Sequence, residues 1–257
     1  MLSSSLVTLL LATAGSAVPL AASNELNSTK WTPGHVLQPD EVILYGDGRM
    51  EVVHESVYHT FLASQGLTDA PEPFVPLNTE TEPTNATDSD LHARQSCDLT
   101  TAVVTDHTQT FIDWDVQMSP VVIGTGAGID VYVSSGYSVS NSITTSAGLD
   151  WTLIKDKLGV SAGVDYSRTW TTQTVVNIKG TVANGYSGVM ITKPIKTRKT
   201  GRALKGCIGS QTETGTFQAD SYEEGSYAGV KWVSGAITMC SKKEFPLSRC
   251  TGSGNFV

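Results

Sequence analysis

From Tyr137 to Ile178 the sequence alternates between apolar and small polar residues, and that alternation constrains the fold more than any other feature of the chain. The odd positions run Tyr137, Val139, Asn141, Ile143, Thr145, Ala147, Leu149, Trp151 and Leu153. Between them stand Ser138, Ser140, Ser142, Thr144, Ser146, Gly148, Asp150 and Thr152. A period of two is the signature of a strand with one buried face. Past Lys155, Asp156 and Lys157 the alternation resumes with its phase reversed, so that Val160, Ala162, Val164, Tyr166, Trp170, Val176 and Ile178 are even. The phrases SAGLDW at 146–151 and SAGVDY at 161–166 echo each other. The pattern predicts one long β-hairpin, 137–153 antiparallel to 160–178, with Lys155–Lys157 at its tip. At ~3.3 Å per residue each arm would be about 50–60 Å long. The alternative is a set of ordinary strands bent at Gly148 and Gly163.

The chain begins with MLSSSLVTLLLATAGSA, an apolar stretch followed by small residues that end at Ala17. It reads as a secretory signal over 1–17, although no Lys or Arg precedes Lys30. The run is too short to span a bilayer as a helix. The expectation is a secreted, extracellular protein.

Charge divides the remainder. Residues 18–94 hold twelve acids against Lys30, Arg49 and Arg94, a net of −9; residues 95–257 hold thirteen acids and fourteen bases, a net of +1. The acidic region carries glycosylation sequons at Asn27 and Asn85. Its last part, 71–94, is rich in proline and acid and has the composition of a disordered linker. Arg94 at its end is a candidate processing site, which makes 18–94 a possible propeptide. Within it Val42–Tyr45 predicts a short strand. Met50, Val53, Val57 and Phe61, with His54 and Tyr58, predict one helical face packed on the following domain. Attraction between the acidic region and the basic run described below predicts that it masks that run and leaves more readily at high salt.

All four cysteines, Cys97, Cys207, Cys240 and Cys250, lie after Arg94. An even count in a secreted chain predicts two disulfides, with the local pairing Cys240–Cys250 and Cys97–Cys207 preferred among three connectivities. There is no CxxC pair, and His107 is the one histidine after residue 94, so no metal site is expected. GTGAG at 124–128 lacks the full dinucleotide-loop spacing and precedes strand, so no cofactor is expected. The fold class read from these patterns is mainly β. An antiparallel sheet or sandwich over 95–257, with the long hairpin and almost no helix, is preceded by a small α/β segment.

The catalytic inventory is poor. His107 is the only neutral-pH base of the domain, and Asp113, Asp115, Asp150 and Asp165 are the carboxylates considered for a glycosidase pair. They read as strand and turn charges, and no enzyme activity is expected. Six cations without an acid, Lys193, Lys196, Arg198, Lys199, Arg202 and Lys205, form a candidate patch for an anionic membrane surface or acidic polysaccharide. Nucleic acid is disfavoured because no aromatic stacking pattern accompanies them.

The segments PDEVILYGDGRMEVVHESVYHTFL, FIDWDVQMSPVVIGTGAGI, GYSVSNSIT, VDYSRTWTT and CIGS resemble a family of secreted, effector-like proteins of filamentous fungi. The resemblance covers about residues 39–257 and implies action on or near a host, with no catalytic residues to carry over. More loosely, Ser/Thr-rich alternating arms about a charged tip resemble the insertion hairpins of aerolysin-type pore-forming proteins. There the lipid side would hold Val139, Ile143, Ala147, Leu149 and Trp151, with Asn141 and Arg168 as departures on that side. Two readings follow. The first is a soluble module binding a host protein, wall polysaccharide or membrane component. The second is a membrane-active protein that oligomerises and inserts its hairpin.

Overall fold

The computed structural model describes residues 26–46, 48–68, 99–146, 148–173 and 177–257. The signal-like stretch with Ala17, the 71–94 linker with Asn85 and Arg94, and Cys97 lie outside the described residues. The chain is mainly β, as its alternation predicts. The acidic region gives β1 (Ser28–Lys30), β2 (Val36–Leu37), β3 (Glu41–Gly46), β4 (Arg49–His54) and helix α1 (Glu55–Ser64). Then come β5 (Thr100–Ile112), β6 (Val116–Gln117), β7 (Val122–Ile123), β8 (Ile129–Tyr132), β9 (Ser138–Ser140) and β10 (Ser142–Thr145). Helix α2 (Trp151–Ala162) is followed by β11 (Thr169–Thr171), β12 (Lys179–Val182), β13 (Ser187–Gly206) and β14 (Thr212–Tyr222). The chain closes with β15 (Glu224–Tyr227), β16 (Val230–Val233) and β17 (Gly235–Lys242).

Strand β13 is the spine. Its 20 residues run continuously through the basic stretch. Its C-terminal half lies between β5 and β14, with Arg198 opposite Gln109 on one side and Asp220 on the other. Its N-terminal half pairs with β17 on one side and with β6 and β7 on the other. Pro194 stands at the seam where both neighbours change, so its missing N–H interrupts no regular ladder. The partner at that seam is Gly235, at φ +150°, where a Cβ would lie 2.3 Å from the Lys193 carbonyl oxygen.

Two extensions complete the main sheet. On one side β3 pairs with β17, β4 with β3 and β1 with β4, all antiparallel. On the other, β10 pairs with the edge of β14. Small sheets flank it: β2–β12–β8, β9–β11 and β15–β16. Helix α1 begins at the His54 cap and buries Tyr58, Phe61 and Leu62. Met50 and Val53, read from sequence as part of that helical face, belong to β4 instead. Val57 packs only partly against the cluster.

The predicted hairpin needs correction. The arms do meet antiparallel at their base, with Val139 opposite Trp170. Beyond that point β10 leaves to pair with β14, and residues 151–162 form a three-turn helix instead of strand. The helix has ordinary stop and start signals that the alternation obscured. Asp150 accepts the Thr152 N–H at 2.9 Å as N-cap, and Gly163 ends the helix in the left-handed region at φ +65°. Ile154 and Leu158, four apart, are its buried pair.

Cys240 and Cys250 are joined, with Cα atoms 5.8 Å apart, as the local pairing predicted. Cys207 is also disulfide-bonded.

Candidate functional site

The segment from Tyr137 to Thr172 straddles the edge of β14. Alternation along β13 and β14 puts Ala203, Phe217 and Ala219 on one face of the long ribbon and Lys196, Arg198, Asp220 and Tyr222 on the other. Helix α2 covers the first face: Ile154, Leu158 and Tyr166 form one cluster with Ala203, Phe217 and Ala219. Trp170 stands on the second face, edge-on to Tyr222 with ring centroids 6.4 Å apart.

Short polar side chains hold the segment down. Asn141 is buried and uses both ends of its amide: Nδ2 donates to the Asp165 carbonyl at 2.8 Å, and Oδ1 accepts the Tyr222 N–H at 2.8 Å. Ser146 Oγ accepts the Thr216 N–H at 3.0 Å. Thr172 Oγ1 accepts the Tyr137 N–H at 3.0 Å and donates to the Ser134 carbonyl at 2.6 Å. Glu224 receives Arg168, the Trp170 indole N–H at 3.1 Å and Lys231 at 3.2 Å. Burial alone would raise the Glu224 carboxyl. Lys231, Trp170 and Arg168 outweigh it and hold the carboxyl below its ordinary value.

Beneath Trp170 lies a charged cluster. Arg198 grips Asp220 in a bidentate pair at 2.8 and 2.7 Å, which raises the guanidinium further. Lys196 reaches Asp113 at 2.6 Å and Asp220 at 3.5 Å. Tyr222 donates to Asp113 at 2.7 Å. Burial, then the neighbouring Asp113 charge, pushes the Tyr222 phenol well above its usual range. Tyr166 is pushed up to about 12, by burial first and by Asp220 second.

This cluster corrects the proposed six-cation patch. Lys196, Arg198 and Arg202 share one face of β13, and each meets a carboxylate; Arg202 lies 3.3 Å from Asp106. Lys193, Lys199 and Lys205 take the odd positions and have no ion pair among the described residues. The run therefore offers no single six-charge surface. Each cation that alternation aims at the polar side is matched by an acid from β5, β14 or the turn after β5, a match that runs of one charge sign in sequence conceal.

The four carboxylates weighed for catalysis also have structural partners. Asp113 is in the cluster, and Asp150 caps α2. Asp165 accepts the Ser167 N–H at 2.9 Å. Asp115 is fully buried and accepts the N–H groups of Cys250 and Thr251 at 2.7 and 2.9 Å, pinning the C-terminal loop. Asp115 also approaches Cys240 and Cys250, but both sulfurs are spent in their disulfide. His107 is exposed on β5. An apolar recess between Tyr45, Met118, Ile178 and Trp232 has a volume of about 30 Å³, room for a water and not for an organic ligand.

Asn27 is exposed at the start of β1, accessible to a glycan. No helix among the described residues is long and apolar enough to cross a membrane, which leaves crossing by strands unaddressed. No family model, curated protein or solved structure matches this chain.

Proposed function

We propose that this is a secreted, non-catalytic protein that acts on lipid membranes by extending the 137–172 segment into an amphipathic β-hairpin. One observation carries the reading: the register at the base of the segment. Val139 faces Trp170, and Ser140 faces Thr169. Continued inward, that register sets Ile143 opposite Tyr166, Thr145 opposite Val164, Ala147 opposite Ala162, Leu149 opposite Val160 and Trp151 opposite Leu158. The other face then carries Ser142 with Ser167, Thr144 with Asp165, Ser146 with Gly163, Gly148 with Ser161 and Thr152 with Lys157. The reverse turn falls at Ile154-Lys155.

Each arm of such a hairpin has eleven residues between base and tip, 143–153 and 156–166. A bilayer needs about 9–11 tilted residues per strand. Asn141 and Arg168 become one cross-strand pair at the base, below the eleven-residue span, and Asp156, opposite Leu153 on the lipid side, falls beside the turn at the other interface. A charge there costs about 0–1 kcal/mol near the interface, not the 2–4 kcal/mol of the midplane.

The folded segment fits this use. Helix α2 follows an alternation that does not suit it, and so leaves Trp151 49% and Val160 89% exposed. A conflict between local pattern and adopted structure marks sites where a second state lies close in energy. The reading of a soluble module with an anion-binding patch loses its main support, because three of the six cations are already paired.

Val160 allows a clean test. It is exposed in the folded chain, yet falls at mid-hairpin on the lipid side, whereas Ser161 is exposed and falls on the polar side. Val160→Lys and Ser161→Lys should both fold normally. In dye-release assays on anionic and neutral liposomes, Val160→Lys should lose at least tenfold in activity, as about 2–4 kcal/mol at the midplane requires. Ser161→Lys should keep it. No release by the unaltered protein on any lipid composition would reject the membrane reading.

A further inference from the structure

We infer that residues 26–68 are a retained subunit of the folded protein, bound to the rest by strand addition and apolar packing, and that cutting the chain between 68 and 95 leaves a stable two-chain complex. The acidic charge of the region suggested a different picture, a shield attracted to the basic run and released by salt. Among the described residues no ion pair joins 26–68 to the 193–205 run. Lys196, Arg198 and Arg202 take their acids from 99–257 itself.

What joins the two parts is backbone and core. Strand β3 lies between β4 and β17, with Tyr45, Leu44 and Ile43 opposite Gly235, Ala236 and Ile237. Both faces of β3 are buried. Val42 and Leu44 join a cluster with Ile112, Ile195 and Ala236, while Ile43 and Tyr45 join another with Met118, Val133 and Met190. In addition, Tyr45 donates through its hydroxyl to the Val230 carbonyl at 2.8 Å, and Thr238 donates to the Glu41 carbonyl at 3.0 Å. Strand β2 adds a parallel pairing to β12.

The balance is decided by size. Among the described residues, thirteen of the forty buried apolar ones lie in 31–67. Burial of such apolar side chains is the dominant favourable contribution to association of this kind. Such contacts are indifferent to screening. At about 1 M salt the Debye length falls to about 3 Å, which abolishes attraction between separated charges and leaves apolar burial intact or stronger. The region has no cysteine, so no disulfide would link the pieces.

The test uses the full chain with a specific protease sequence inserted between 69 and 94, so that all four cysteines stay on the C-terminal piece. After complete cleavage, size exclusion is run at about 0.1 M and about 1 M sodium chloride, settings that contrast long and short screening. The expected result is co-elution of both pieces in equal amounts at both salts, with separation only in denaturant. Release of the N-terminal piece at either salt, with the remainder keeping its circular dichroism and monomeric size, would overturn the inference. A Leu44→Ala variant, cut in the same way, should release its N-terminal piece at lower denaturant than the unaltered protein. An unchanged release midpoint would also count against the inference. The outcome is independent of liposome leakage, since it is read in solution without lipid.

Discussion

Val139 and Trp170 face each other across a three-residue antiparallel ladder, and the register of that pair fixes how everything between them would align if it were strand. In the folded chain the intervening residues do not continue that ladder. They include β10, which pairs with β14 instead, and helix α2, laid over the ribbon. The folded chain adopts the packed arrangement, and the proposed function requires the extended one.

The clamp should be weakest where one side chain does several things. Asn141 satisfies the Asp165 carbonyl and the Tyr222 N–H from a buried position. Asn141→Ala should weaken the segment by about 1–3 kcal/mol, the typical penalty for leaving a buried polar group unsatisfied. Hydrogen exchange should accelerate across 142–168 and remain unchanged across 187–192. Uniform acceleration would mean that Asn141 supports the whole fold and not the segment.

Much of this was legible in the sequence, and the failures have physical causes. The alternation correctly gave strand at 138–145 and 169–171, and the local Cys240–Cys250 bridge followed from count and spacing. The alternation failed at 151–162, where the Asp150 cap, the Ile154–Leu158 spacing and Gly163 favour helix. Those signals are ordinary, but a period-two reading overrides them. The continuity of β13 was hidden by Pro194 and by the basic run, because sequence does not show that both neighbouring strands change at Pro194. The charged cluster was invisible for a related reason: Asp113 and Asp220 are 107 residues apart, and only the sheet brings both to Lys196.

That cluster should be a large stability determinant. Lys196 and Asp113 are each only 12–13% exposed in their side chains. Lys196→Met removes one charge and leaves Asp113 and Asp220 with less compensation, a situation that typically costs about 3–5 kcal/mol. Thermal unfolding should move down by several degrees. A double variant, Lys196→Met with Asp113→Leu, should recover part of the loss. No recovery would mean that packing, not charge balance, dominates there.

The base of the segment should respond to acid. Glu224 has its carboxyl held below its ordinary value in the folded state. Its stabilising contribution is therefore present above the unfolded glutamate value, about 4.3, and is lost as pH falls through the lower folded value. The indole N–H resonance of Trp170 should stay constant from neutral pH down past the ordinary glutamate range and shift only as pH falls through the lower folded value, where the carboxylate takes up its proton. In Glu224→Gln the resonance should already be displaced at neutral pH and show no further change with Glu224-like titration. A titration that survives the substitution would assign it to another group.

Gly201 packs against β5, where a Cβ would lie 2.0 Å from the Val104 carbonyl oxygen and 2.8 Å from the Phe217 ring. Gly201→Ala should destabilise the ribbon by about 1–3 kcal/mol, as overpacking of a filled site does. Chemical denaturation should show a lower midpoint with an unchanged slope. A midpoint equal to that of the unaltered protein would show that β5 can move aside.

The most direct measurement is an environment-sensitive dye placed on single cysteines at each position from Leu158 to Gly163, read in solution and again on liposomes. In solution the signal should follow the helix, with Leu158 shielded and Val160 and Ser161 both wet. On membranes the extended hairpin predicts strict alternation, with 158, 160 and 162 in lipid and 159, 161 and 163 in water. A helical pattern retained on liposomes, or no change from solution at any of the six positions, would contradict insertion of this segment as a β-hairpin.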